Sequence, residues 1–237
     1  MIVCGLQKLT LLDFPGRMAC IIFTRGCDFR CPFCHNASLV INSQSNDNRP
    51  PEIQPITEEE IFSFLKKRSG ILDGVVITGG EPSLQKDLLP FIVKIKQLGY
   101  KVKLDTNGNH PQVISELLEQ NLLDYIAMDI KNCKEKYAAT IGLSKFDISN
   151  IIRSVNIIKN SGIEYEFRTT VVGDFHREED FEAIGKWLCG AKAYYLQNFV
   201  DSGDLINPLV EGVTPEKMSQ YREIAAKYIP NTSIRGL

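Results

Sequence analysis

Gly74-Val-Val-Ile-Thr78, Asp87-Leu-Leu-Pro-Phe-Ile-Val-Lys-Ile-Lys-Gln-Leu98 and Lys101-Val-Lys-Leu-Asp105 follow one another in 32 residues and decide the architecture. The first and last are short β-branched runs. The middle segment repeats apolar residues (Leu88, Leu89, Ile92, Ile95) at helical spacing, so its apolar face is core packing. Together they make one βαβ unit, and the pattern continues on both sides. Upstream, Ala19-Cys-Ile-Ile-Phe-Thr24 is a buried strand, and residues 42–55 are polar and proline-ended, a surface loop. Thr57 followed by Glu58, Glu59 and Glu60 is a capping box that opens a helix to about Ser69, with Ile61, Phe64 and Leu65 turned to the core. Downstream come a helix at His110–Gln120, a strand at Tyr125–Asp129 and two helical patches between Lys134 and Asn160, of which Ile148–Lys159 is amphipathic. A strand at Tyr165–Val172, a helix at Glu178–Leu188, a strand at Ala193–Gln197 and a helix at Pro215–Tyr228 complete the series. Strands separated by helices imply a parallel sheet. Six strands in this length predict an α/β fold of the partial (βα)6 TIM type rather than a flat doubly wound sheet. No composition break divides the chain. The expectation is one domain over 1–237, with an N-terminal extension (1–18), six βα units (19–200) and a C-terminal helix and tail (201–237).

The 237 residues are 43% apolar and carry 27 basic against 29 acidic side chains, a net charge of −2. That balance argues against a phosphate-backbone binder, so no nucleic acid partner is expected. No apolar run reaches the ~18 residues of a membrane span, and residues 1–8 hold no signal-peptide pattern, so a soluble cytoplasmic protein is expected. Seven cysteines are present. Cys4, Cys20, Cys133 and Cys189 are scattered singly and read as small buried hydrophobes, whereas Cys27, Cys31 and Cys34 crowd into eight residues and read as a metal site.

Ligands of parallel α/β folds bind at the carboxyl ends of the strands. The first of these strands empties into the cysteine loop, the second into Gly79-Gly80-Glu81-Pro82, the third into Asp105-Thr-Asn-Gly108 and the fourth into Asp129-Ile-Lys131. The fifth carries Arg168, and the sixth ends in Gln197-Asn198. Three thiolates on one short loop can hold three irons of a [4Fe–4S] cubane and leave the fourth open. A structural zinc wants four ligands, and His35, directly after Cys34, is awkwardly placed to be the fourth.

Cys27-x3-Cys31-x2-Cys34, with Phe33 before the third cysteine, resembles the signature of the radical S-adenosylmethionine superfamily. Asp13-Phe-Pro-Gly16, Cys34-His-Asn36, Thr78-Gly-Gly-Glu81, Leu104-Asp-Thr-Asn-Gly108 and Asp129-Ile-Lys131 together resemble the glycyl-radical-enzyme activases, and most of all the anaerobic ribonucleoside-triphosphate reductase activating proteins. The resemblance runs from about Gly5 to the C-terminal Arg-Gly-Leu. It implies one [4Fe–4S] cluster on Cys27, Cys31 and Cys34, reduced by a flavodoxin or ferredoxin type donor. It implies reductive cleavage of S-adenosylmethionine to a 5′-deoxyadenosyl radical, which takes a hydrogen from a glycine of a partner glycyl-radical enzyme. Phe33, Gly79, Gly80 and Glu81 would border the cofactor, with the Gly-Gly-Glu loop at its amino group. Asp105 and Lys131 would contact it, and Asp129 with Asp105 would hold a monovalent cation. Where several activases have a histidine, this chain has Gln197-Asn198-Phe199. The interval Ala37 to Asp73 holds no cysteine, so a single cluster is expected.

Each motif also has a plainer reading. Gly79 and Gly80 let a ligand approach the backbone, or they serve a strand-to-helix turn. Asp105, Asp129 and Lys131 bring a carboxylate pair to an ammonium, or they form a structural salt bridge. Arg168 faces a cofactor carboxylate or a peptide, or makes a cross-barrel ion pair. His110 starts a surface helix, and His176 lies on the loop after the fifth strand, where it touches a partner or is simply solvated. Two other functions compete with the activase: a radical enzyme acting on a small molecule, like 7-carboxy-7-deazaguanine synthase, and a zinc-bearing interaction module.

Overall fold

A computed structural model describes residues 1–40, 53–201 and 203–236; most of the expected 42–55 loop lies outside them. Eight strands follow one another in sheet order: β1 (Val3–Thr10), β2 (Ala19–Thr24), β3 (Gly74–Gly79), β4 (Lys101–Thr106), β5 (Tyr125–Asp129), β6 (Glu164–Val171), β7 (Tyr194–Asn198) and β8 (Thr232–Arg235). β1 is antiparallel to β2, whereas β2–β3–β4 and β6–β7–β8 pair in parallel. The strands alternate with α1 (Ala37–Val40), α2 (Glu58–Arg68), α3 (Leu88–Gln97), α4 (Pro111–Glu119), α5 (Tyr137–Thr140), α6 (Ser149–Lys159), α7 (Glu178–Leu188) and α8 (Pro215–Ala226). This is the α/β class expected, and β2 to β7 are the six expected strands. β1 and β8 were not foreseen. β1 is half exposed along most of its length and shows no clean alternation, and β8 has only four residues. Among the described residues no helix is long and apolar enough to cross a membrane.

The described residues gather into two compact units. One comprises Met1–Asp28, Ser38–Thr106 and Gln112–Ile126. Its core joins Ile22, Val75, Ile77, Val102 and Leu104 of the strands to Ile61 and Leu65 of α2 and to Leu88, Phe91, Ile92 and Ile95 of α3, all buried. Each such side chain contributes about 1.5–3 kcal/mol. Phe91, not the expected Leu89, completes the α3 face: Leu89 is only half buried, and the Phe91 ring packs edge-on against Phe62. α2 starts as foreseen, with Thr57 Oγ1 accepting from Glu60 N while the Glu60 carboxylate accepts from Thr57 N.

The other unit comprises Phe29–Ala37, Asn107–Pro111 and Ala127–Leu237. Ile151, Val155 and Ile158 of α6, Phe181, Ile184 and Leu188 of α7, and Met218, Tyr221 and Ala225 of α8 are buried with Phe167, Tyr194 and Leu196 of the strands. Phe181 and Tyr221 stack at 4.5 Å where α7 meets α8. Of the single cysteines, Cys20 and Cys133 are buried as expected, but Cys189 is exposed at the end of α7 and Cys4 is half exposed on β1.

Candidate active site

In the first unit the turn after β3 is sewn to the chain that leads into Cys27. Gly80 N donates to Thr24 O at 2.9 Å, Glu81 N to Gly26 O at 2.7 Å, and Gln85 Nε2 to Arg25 O at 2.7 Å. A Cβ on Gly79 would lie 2.3 Å from Thr24 N, and one on Gly80 2.0 Å from Gly26 O. The two glycines are therefore demanded by the close approach of main chain to main chain, and Gly79, at φ +118°, also by its own backbone. Glu81 is 1% exposed. Its Oε1 accepts from Ser83 N (3.0 Å), Ser83 Oγ (2.5 Å) and Thr106 Oγ1 (2.8 Å), so this oxygen locks the strand-to-helix turn. At the end of β4, Asp105 Oδ1 pairs with Lys103 Nζ at 2.7 Å.

In the second unit Cys31 and Cys34 sit in one tight turn, with Cys34 N donating to Cys31 O at 3.0 Å. The segment after β7 ties this turn down: Asn207 N donates to Pro32 O at 2.8 Å, and the His35 ring stacks on Phe199 at 5.3 Å. Phe33 is buried against Phe175 at 5.9 Å. Asp129, at the end of β5, accepts from Arg168 Nε at Oδ1 and from Lys131 Nζ at Oδ2, both at 3.0 Å. Arg168 lies on β6, and its carbonyl accepts from Ile130 N at 2.7 Å, so the ion pair is made beside the strand end. Burial alone would raise the Asp129 carboxyl, but the Arg168 guanidinium and Lys131 ammonium hold it well below the usual carboxylate range. Burial would lower the Lys131 ammonium, and the Asp129 carboxylate beside it keeps it high instead. Burial pushes the Cys31 thiol up to about 11, with Lys131 acting against it, and also raises Cys34.

The donor chemistry fits an iron–sulfur cluster. Three thiols stand within eight residues and no disulfide engages them. Burial favours the protonated thiol at Cys31 and Cys34, so a metal binding there would displace protons. Among the described residues no three ligating side chains are already gathered at metal distance. Two cations against one carboxylate at Asp129 suit a ligand that brings its own carboxylate, as an amino acid does. A free monovalent cation fits neither aspartate well, since each already faces an ammonium or guanidinium.

Two residues were missed or misplaced in the sequence reading. His176 is fully buried rather than solvated: the Gly173–His176 turn folds back so that His176 N donates to Val172 O. Val172 N donates to Nδ1 at 3.1 Å, which leaves Nε2 to donate to Lys131 O at 2.9 Å. Burial lowers its pKa, which keeps the ring neutral. Lys103 is buried on β4, two residues before Asp105; that spacing was visible in the sequence.

Against known proteins, the sequence pattern of the radical SAM superfamily matches residues 21–188. A Methanocaldococcus jannaschii protein with the provisional name glycyl-radical enzyme activating enzyme is 34% identical over 243 residues, covering 100% of this chain and 96% of that protein. The pyruvate formate-lyase-activating enzyme of Clostridium pasteurianum is 27% identical over 71% of this chain and 67% of its own length. Among solved structures, Streptococcus suis SuiB bound to S-adenosylmethionine superposes with a TM-score of 0.68 at 15% identity, over 91% of this chain and 50% of SuiB; this likeness is one of fold.

Proposed function

The chain belongs to the radical S-adenosylmethionine superfamily, and from that premise we propose that it activates a glycyl-radical enzyme, with anaerobic ribonucleoside-triphosphate reductase as partner and a flavodoxin or ferredoxin type protein as electron donor. The observation that carries the reading is the pairing of two features: three cysteines within eight residues, and an Asp129 carboxylate held at 3.0 Å by both Lys131 and Arg168, a cationic site suited to an amino-acid ligand. Relatives named as activating enzymes support it.

Cys27, Cys31 and Cys34 would hold three irons of one [4Fe–4S] cluster. Held there beside bound S-adenosylmethionine, such a cluster would supply one-electron reducing chemistry. The chain's own residues do the rest. Lys131 and Arg168 face the carboxylate of the ligand with charge in place before it arrives, and Asp129 holds the two cations apart and aimed. Glu81, clamped by Ser83 and Thr106, fixes the Gly79-Gly80 turn that would meet the amino group. Asp105, at the end of β4, is the further carboxylate that the family resemblance assigns to this ligand. Phe33, packed on Phe175, keeps water from the cysteine turn. His176 holds the carbonyl of Lys131 and so its backbone.

The test is anaerobic. After reconstitution with iron and sulfide, dithionite and S-adenosylmethionine should give 5′-deoxyadenosine, and Cys31→Ala should not. Adding an anaerobic ribonucleotide reductase should then give a glycyl-radical EPR doublet. Deoxyadenosine made only with a small molecule and no protein partner would replace the activase by the small-molecule enzyme, and zinc in place of iron would remove the radical reading altogether.

A further inference from the structure

Lys103 is 2% exposed in the middle of β4. Its register partner on β3 is Val76, which belongs to an apolar cluster with Phe14, Ala19 and Ile21, and Tyr125 packs against that cluster. The Lys103 Nζ lies 5.8 Å from the Tyr125 ring centroid, and the same ring meets the edge of Phe14 at 6.1 Å. A methionine or leucine would fill this space without the cost of burying an ammonium. The lysine is therefore explained by its charge. That charge meets Asp105 Oδ1 at 2.7 Å, on a carboxylate whose side chain is 12% exposed. The two side chains leave the same face of the strand, with the lysine one step deeper and the aspartate at the strand end.

We propose that Lys103 is a built-in counter-cation for Asp105, and that the protein therefore handles S-adenosylmethionine without a free monovalent cation at this carboxylate. Lys103 is a positioning residue: it acts through Asp105 and not on the ligand. The inference rests on the reading of Asp105 as a border of the S-adenosylmethionine site. The physical case is that the ammonium is covalently tethered, buried and at contact distance, so it neutralises the carboxylate at no cost in recruiting an ion from solution. It also repels any second cation that approaches the same oxygens. Asp105 then keeps one fixed orientation at the strand end whatever salt surrounds the protein.

The experiment compares reconstituted holoprotein in potassium chloride and in tetramethylammonium chloride at equal ionic strength. The larger ion is too bulky to enter a carboxylate site. Two quantities are read: the melting temperature, and the S-adenosylmethionine affinity from the change in the EPR signal of the reduced cluster. The wild-type chain should give the same values in both salts. Lys103→Met should melt lower by about 6 °C or more and lose about tenfold in affinity. Potassium but not tetramethylammonium should restore part of both, because a small cation can now sit beside Asp105; a merely structural lysine would show no such rescue. Lys103→Met combined with Asp105→Asn, which leaves no buried charge, should be indifferent to the salt. A wild-type affinity that falls when potassium is withdrawn overturns the proposal, as does a Lys103→Met protein that no salt rescues. If Lys103→Met does not fold, the wild-type salt comparison and the double variant decide. An EPR signal unmoved by S-adenosylmethionine in every salt would sink the proposed function, while the melting temperatures would still judge the counter-cation.

Discussion

The ends of β4 and β5 each present an aspartate held by lysine, and the two arrangements differ in where the cation comes from. At β4 the ammonium of Lys103 rises from inside the apolar core, 2% exposed, and meets Asp105. At β5 the cations come from the rim: Lys131 follows the strand and Arg168 reaches from β6, with side chains 16% and 14% exposed, and Asp129 between them is 30% exposed. A cation with no route to water is committed to its carboxylate for the life of the fold. Cations near water can exchange a protein carboxylate for a ligand's. The same residue pair thus does two jobs, a fixed counter-charge at β4 and a receptive site at β5.

The sharpest way to break that comparison is to neutralise each aspartate. Asp105→Asn strands a core ammonium and should cost about 3–5 kcal/mol. Asp129→Asn leaves two cations that can turn to solvent, and should cost about 1–2 kcal/mol while weakening S-adenosylmethionine binding more than stability. Urea denaturation of both variants gives the order directly, and a larger loss at Asp129 would abolish the distinction.

Next in size are two glycines that hold the chain on either side of the cysteine loop. A Cβ on Gly80 would lie 2.0 Å from Gly26 O, just before Cys27, and one on Gly142 2.2 Å from Arg30 O, just before Cys31. Gly80→Ala and Gly142→Ala should each cost about 1–3 kcal/mol by overpacking. Gly142→Ala should cost more, because its φ of +72° adds backbone strain. Both should lower the iron bound per chain on reconstitution. Full iron content in Gly80→Ala would show that the turn after β3 does not place Cys27.

His176 sharpens the β5 side. His176→Phe keeps the ring in the core but loses the donor to Lys131 O, at about 1–2 kcal/mol, and should raise the KM for S-adenosylmethionine. His176→Gln, which can still donate, should recover part of both. Equal KM values in the two variants would confine His176 to packing.

The smallest effect is a dependence on pH. Burial lowers the folded-state pKa of His176 below the ordinary 6.5, so below about pH 6.5 the unfolded chain binds a proton that the folded chain refuses. Stability is unaffected above that pH and falls by up to about 1.4 kcal/mol per unit beneath it, until the folded-state pKa is reached. Denaturation curves between pH 7.5 and 5 should show this slope, reduced in His176→Gln. A slope that survives the substitution unchanged would assign it to other groups.

Much of this was legible in the residues alone. β2 to β7 were readable because short β-branched runs between amphipathic helices are local patterns, and the cysteine spacing marked the metal loop for the same reason. β1 and β8 were not, since an edge strand without alternation and a four-residue strand carry little periodic signal. His176 looked solvated because Gly173-Asp-Phe-His-Arg is polar as a string, and only the turn back onto Val172 buries it. Gly79 and Gly80 suggested close approach of a ligand to the backbone, and the structure shows that a Cβ on either would collide with the backbone of Thr24 or Gly26. The sequence by itself determined which chemical groups stand at which strand ends, because strand, turn and motif are written in residues that are neighbours in the chain. Only the tertiary structure decided which charge answers which: Arg168 is 39 residues from Asp129, and His176 is 45 from the carbonyl it holds. Such pairings depend on the register of separate elements and on which side chains lose their water, and neither is encoded in local spacing.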